Sequence, residues 1–132
     1  MPASAMLNNI VIVIVDDDDS IRLALREFLI RKGATVFTCP DAIQGLEAVR
    51  AHHPNIVLSD ISLPNRDGFE LLQDIRSLGS GQNGDVPVIA MTALEGIVEF
   101  GLTIDNGFQA HLHKPFRPDQ LLATVSSTLG SG

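Results

Sequence analysis

Apolar residues along the chain fall into two kinds of segment. Ile10 to Val15 is an unbroken β-branched run, and Ile56-Val57-Leu58 and Val86 to Met91 are similarly apolar, as strands buried on both faces should be. Thr35 to Thr38 and Gln109 to His113 give weaker strand signals. Between these runs apolar positions recur at helical spacing: Ile21, Leu25, Phe28 and Leu29; Ala42, Leu46 and Val49; Leu71, Leu72, Ile75 and Leu78; Leu121, Leu122, Val125 and Leu129. The pattern reads βαβαβαβαβα. Such alternation predicts an α/β fold: a doubly wound (βα)5 domain with a parallel five-stranded sheet, right-handed crossovers and helices on both faces. Ser80 to Gly84 reads as one mobile loop. Leu94 to Asn106 is the weakest helix, because Gly96 and Gly101 each cost about 1 kcal/mol relative to Ala.

Composition narrows the partners. The chain has 132 residues, 45% apolar and 19% charged, enough for one core. A formal charge of −7 opposes nucleic-acid binding by this chain alone and favours protein partners. No apolar stretch reaches the ~18 residues of a membrane span, and the first nine residues lack a signal-peptide pattern, so the expected location is cytoplasmic. The single cysteine, Cys39, reads as a structural thiol.

Ligand sites of open α/β sheets form at the carboxyl ends of strands, where this chain places its polar residues. Asp16 and Asp17 follow strand one, Asp60 strand three, Thr92 strand four and Lys114 strand five. Brought together, the three carboxylates repel: two unit charges ~4 Å apart cost about 4 kcal/mol at an effective dielectric of 20. A cation is the natural remedy. An all-oxygen ligand set selects a hard ion, Mg²⁺, with Mn²⁺ the alternative. Asp60 then becomes a nucleophile able to form an aspartyl phosphate, with Lys114 and Thr92 meeting other phosphoryl oxygens. Asp18 and Asp19 carry the simpler reading, as acids that cap and start a helix.

These residues resemble the receiver domain of two-component response regulators, the CheY-like superfamily with its flavodoxin-like three-layer sandwich. The resemblance rests on Val15-Asp16-Asp17 followed by Arg22, on Leu58-Ser59-Asp60 with Pro64 and Asp67-Gly68, on Val88 to Ala93, and on Lys114-Pro115-Phe116. It covers residues 9–129, leaving 1–8 and 130–132 as flexible termini.

The resemblance implies strand order 2-1-3-4-5, Asp60 as phosphoacceptor, and Mg²⁺ held by Asp17, Asp60 and the Ser62 carbonyl, with Asp16 acting through water. It implies a cis Lys114-Pro115 bond, and Ser62 and Leu94 as the pair that sets phosphoryl lifetime. It also implies loading by a histidine kinase or histidine phosphotransfer protein, slow self-hydrolysis, and output through the fourth helix, fifth strand and fifth helix. The chain is thus expected to be a signalling switch rather than an enzyme. His111 departs from the family's aromatic switch residue, which couples to Thr92, and Gly107 to Leu112 is similar to receivers fused to hybrid histidine kinases. Two rival readings stand beside this one. A haloacid-dehalogenase-like phosphatase would need an acid where Ser62 stands, and a pseudo-receiver would have lost acids that are present here.

Overall fold

The structure is a computed structural model that describes residues 6–93 and 106–130. Five parallel strands, β1 (Val11–Val15), β2 (Thr35–Cys39), β3 (Ile56–Asp60), β4 (Val88–Thr92) and β5 (Ala110–His113), form one sheet. Their order is β2-β1-β3-β4-β5, as the resemblance implies.

Helices α1 (Asp19–Arg31), α2 (Ala42–His52) and α3 (Gly68–Arg76) and a last helix, Pro118–Gly130, cover the sheet. The unbroken apolar runs now have a physical meaning, because alternate residues of each strand enter opposite cores. Val13, Val15, Val57, Val88 and Ala90 pack beneath α2 and α3. Ile12, Ile14, Ile56, Leu58, Ile89 and Met91 pack beneath α1 and the last helix. The smaller side chains share one face and the larger ones the other. On the smaller face α2 sits so close that a Cβ at Gly45 would lie 2.8 Å from Val15 Cγ2.

Each of the first three helices begins on a carboxylate in the connection that follows a strand. Asp18 accepts from the Ser20 and Ile21 amides, Asp41 from the Gln44 amide, and Asp67 forms a capping box with Glu70. The strand-helix turns at the carboxyl end of the sheet are therefore held by side chains as well as backbone.

Several sequence expectations shift. The fourth strand starts at Val88, not Val86, because Pro87 has no N–H to give the ladder. Ser80 to Gly84 holds a short 3₁₀ turn, Ser80–Gln82, with the Gly84 amide bonded to the Gly79 carbonyl at 2.8 Å. Leu7, expected in a flexible end, is buried in the larger core, and its amide donates to the Lys32 carbonyl at 2.8 Å. The last helix runs through Gly130. Of the segment read as the weakest helix only Asn106 lies among the described residues, so Leu94, Gly96 and Gly101 fall outside them.

Candidate functional site

The sheet order brings the expected residues together at the carboxyl ends of adjacent central strands. Carboxylate oxygens of Asp16, Asp17 and Asp60 all lie within 4.8 Å of one another. Asp16 is fully buried, Asp60 nearly so, and Asp17 exposed.

Lys114 crosses 98 residues of sequence to meet Asp16, its Nζ lying 2.6 Å from Asp16 Oδ2 and 3.1 Å from Asp60 Oδ2. The Lys114-Pro115 peptide is cis, as the resemblance implies. The Lys114 amide donates to the Thr92 carbonyl at 2.7 Å, tying the ends of β4 and β5. Thr92 is fully buried and lies one residue beyond Met91, the register partner of Asp60. Ser62 reaches the site through its amide, which donates to Asp60 Oδ1 at 3.1 Å.

Electrostatics in this cluster are opposed. Burial pushes the Asp60 carboxyl above its ordinary range, against the pull of Lys114 and the Ser62 amide, while the Asp16 charge adds to the rise. Burial works against the Lys114 ammonium, but the hydrogen bond it donates to Asp16 and the charges of both acids outweigh it, so its pKa rises. Three carboxylates face one ammonium, leaving two negative charges unmatched within the cluster. Oxygen ligands without His or Cys fit a hard divalent cation.

Two neighbours escape a reading by residue type. A Cβ at Gly68 would stand 2.4 Å from the Asp60 carbonyl oxygen and 2.8 Å from Ile61 Cα, so only glycine lets α3 start against the acceptor strand. Arg22 donates from Nη1 to the Asp16 carbonyl at 2.6 Å and pairs with Asp19. The first contact joins two chain segments at one turn, and the second spans one helical turn. Spacing alone marks only the second.

His111 sits half-buried on β5, in register with Ala90. It belongs to a different region from the acids, and with His113 it borders a depression of about 460 Å³ beside Gln120 and Thr124 of the last helix. A second, apolar depression of about 430 Å³, lined by Ile21, Ala24, Leu25, Pro115 and Phe116, opens beside Lys114.

Known proteins resemble this chain in sequence and fold. Residues 12–126 match the family model of the response regulator receiver domain. The chain is 32% identical over 110 residues to the response regulator MprA of Mycobacterium ulcerans, covering 83% of this chain and 46% of that protein. It is 36% identical over 111 residues to the transcriptional regulatory protein CseB of Streptomyces avermitilis, covering 84% and 45%. It thus spans about half the length of these curated relatives. A solved CheY-like receiver domain from Methanospirillum hungatei superposes with a TM-score of 0.81 at 29% identity, covering 92% of this chain and 94% of that one. With the family match spanning most of its length, the chain belongs to the response regulator receiver domains, the phosphoacceptor modules of two-component signalling.

Proposed function

We propose that Asp60 is the phosphoacceptor of a Mg²⁺-dependent switch, with Asp16, Asp17, Asp60 and the Ser62 carbonyl as the metal's ligands, Asp16 through water. One observation carries the assignment: Asp60 is the acid that sits in the carboxylate cluster while also touching both the Lys114 ammonium and the Ser62 amide. Bound there, Mg²⁺ keeps the acids ionised and neutralises charge on the transferring group.

The chain's own residues do the rest. An Asp60 carboxylate oxygen attacks phosphorus, and the bond to the donor's leaving atom breaks with its electron pair going to the leaving group. Lys114 turns from Asp60 to a phosphoryl oxygen, and Thr92 donates to another. In the reverse phase a water oxygen attacks phosphorus, Asp60 leaves as carboxylate, and inorganic phosphate is released. Ser62 and Leu94 set how readily that water enters. The donor is a phosphohistidine on a kinase or phosphotransfer protein in the cytoplasm.

Output runs through β5, the last helix and the segment between Thr92 and Asn106, with His111 taking the place of the usual aromatic switch residue. Its half-buried position on β5, beside Gln120 and Thr124 of the last helix, supports that role.

Acetyl phosphate tests the reading. With Mg²⁺, intact-mass measurement is expected to show one added phosphoryl group on Asp60 that decays over time, and no gain when the metal is chelated. Rapid turnover of many phosphate esters, or a gain that survives Asp60→Asn, would overturn it.

A further inference from the structure

Two of the three clustered carboxylates are anchored through their oxygens. Asp16 Oδ2 holds Lys114 and its Oδ1 accepts the Asp18 amide at 2.9 Å, while Asp60 is held by Lys114 and the Ser62 amide. Asp17 differs. Its carboxylate is exposed and forms no hydrogen bond or ion pair among the described residues, so its place depends on the backbone that carries it.

That backbone is gripped from one side. The carbonyl of Asp16 belongs to the peptide bond that leads into Asp17, and Arg22 Nη1 donates to it at 2.6 Å. The other guanidinium nitrogen, Nη2, pairs with Asp19, and the side chain is mostly buried at 17% exposure. The planar fork thus spans the start of α1, with one nitrogen on the turn and one on the helix. From below, the Asp16 amide donates to the Cys39 carbonyl at 3.1 Å.

We propose that Arg22 is a positioning residue for the metal-binding half of the site: by fixing the Asp16-Asp17 peptide it places the Asp17 carboxylate for the cation. The inference rests on the reading of Asp17 as a metal ligand. It goes beyond that reading in assigning the placement to a cation that touches neither the metal nor the phosphoryl group. An outer contact that orients a ligand is typically worth about tenfold to a hundredfold in metal affinity.

Calorimetric titration of Mg²⁺ into wild type, Arg22→Ala, Arg22→Lys, Asp17→Asn and the double variant Arg22→Ala/Asp17→Asn tests it. Arg22→Ala is expected to weaken binding by about tenfold. Arg22→Lys keeps the charge but loses the fork, and is expected to recover only part of that loss. The double variant is expected to bind no more weakly than Asp17→Asn alone, because both changes act through one carboxylate. In metal-free protein, Arg22→Lys is expected to shift the Asp17 amide and carboxyl NMR signals more than those of Asp60.

Losses that add in the double variant, or a fall in Tm without a change in Mg²⁺ affinity, would reduce Arg22 to a helix-start contact and overturn the inference. Should Arg22→Ala not fold, Arg22→Lys and its double with Asp17→Asn carry the same comparison. Absence of Mg²⁺ uptake by wild type would instead sink the metal reading itself, and this inference with it.

Discussion

The two ends of the sheet solve opposite problems with the same kind of material. At the carboxyl end Asp16, Asp60, Thr92 and Lys114 are sequestered with more negative charge than the ammonium can balance. At the amino end a half-buried arginine is satisfied by backbone. Arg76 Nη1 donates to the Gly84 carbonyl at 2.9 Å and the Val86 carbonyl at 2.7 Å, and Nη2 donates to Gln109 Oε1, which also accepts the Val88 amide. Burial lowers the Arg76 pKa, with the nearby Asp85 charge opposing, while its hydrogen bonds go to neutral carbonyls rather than to carboxylates. One end closes the fold; the other keeps an electrostatic imbalance that a ligand can relieve. The difference teaches that burial of charge is read through its partners.

The sharpest way to break this contrast is Asp60→Asn. Phosphorylation by acetyl phosphate is expected to vanish from the mass spectrum, while metal-free Tm rises at neutral pH. The sign follows from the raised pKa: folding favours the protonated acid, a contribution present below the unfolded pKa and lost as pH climbs through the folded one. The Tm gain should therefore shrink as pH falls below about 4, where wild-type Asp60 is protonated in both states. A lower Tm at neutral pH would contradict the imbalance.

Gly68→Ala attacks the same end through shape. The added carbon meets the Asp60 carbonyl, and α3 must back away. Stability is expected to fall by about 1–3 kcal/mol, and the rate of phosphorylation by about tenfold or more, since displacement of the acceptor by a fraction of an ångström already misaligns attack. Denaturant unfolding and a time course by mass spectrometry read the two effects separately.

Arg76→Ala probes the amino end. Leaving carbonyls of Gly84 and Val86 without their donor is expected to cost about 2–3 kcal/mol in urea unfolding, yet leave Mg²⁺ affinity and phosphorylation of the folded protein unchanged. A loss of metal binding in this variant would show that the two ends are coupled.

The smallest effect concerns Cys39, whose thiol is pushed up to about 11 by burial and the nearby Asp41 charge, with Arg22 opposing. Alkylation at pH 8 is expected to run about a hundredfold slower in native than in urea-unfolded protein. Because the folded thiol holds its proton to higher pH, stability should decline between pH 9 and 11, and Cys39→Ala should flatten that decline.

Much of this was legible in the chain itself, for a physical reason. Strands buried on both faces write long apolar runs, so β1, β3 and β4 stood out, whereas the edge strands β2 and β5, half-buried, were fainter. The joint placement of Asp16, Asp17, Asp60, Thr92 and Lys114 at strand ends was readable because parallel topology puts every such end on one side. The acceptor's neighbours were not. The direct Lys114 to Asp16 pair depends on a fold closing 98 residues, and the Arg22 grip depends on where a carbonyl points, which no residue type announces. Gly68 entered only as part of a family motif, and its reason, the Asp60 carbonyl that fills the space a side chain would need, appears only in the fold. Leu7 was misjudged because the short stretch before the first strand shows no helical or strand period in its apolar residues.

The strand order also sets a sequence of events during synthesis. β1 and β3 are neighbours in the sheet and both are made before β4, so all three acids can meet while Lys114 is still unmade. For that interval the growing sheet would carry the acids without the ammonium that meets two of them in the finished fold. The repulsion disfavours premature closure of the central strands, and arrival of β5, a short edge strand with Lys114 just beyond it, lessens it. The last strand added is thereby the one whose docking the centre of the molecule most rewards, which ties completion of the fold to completion of the site.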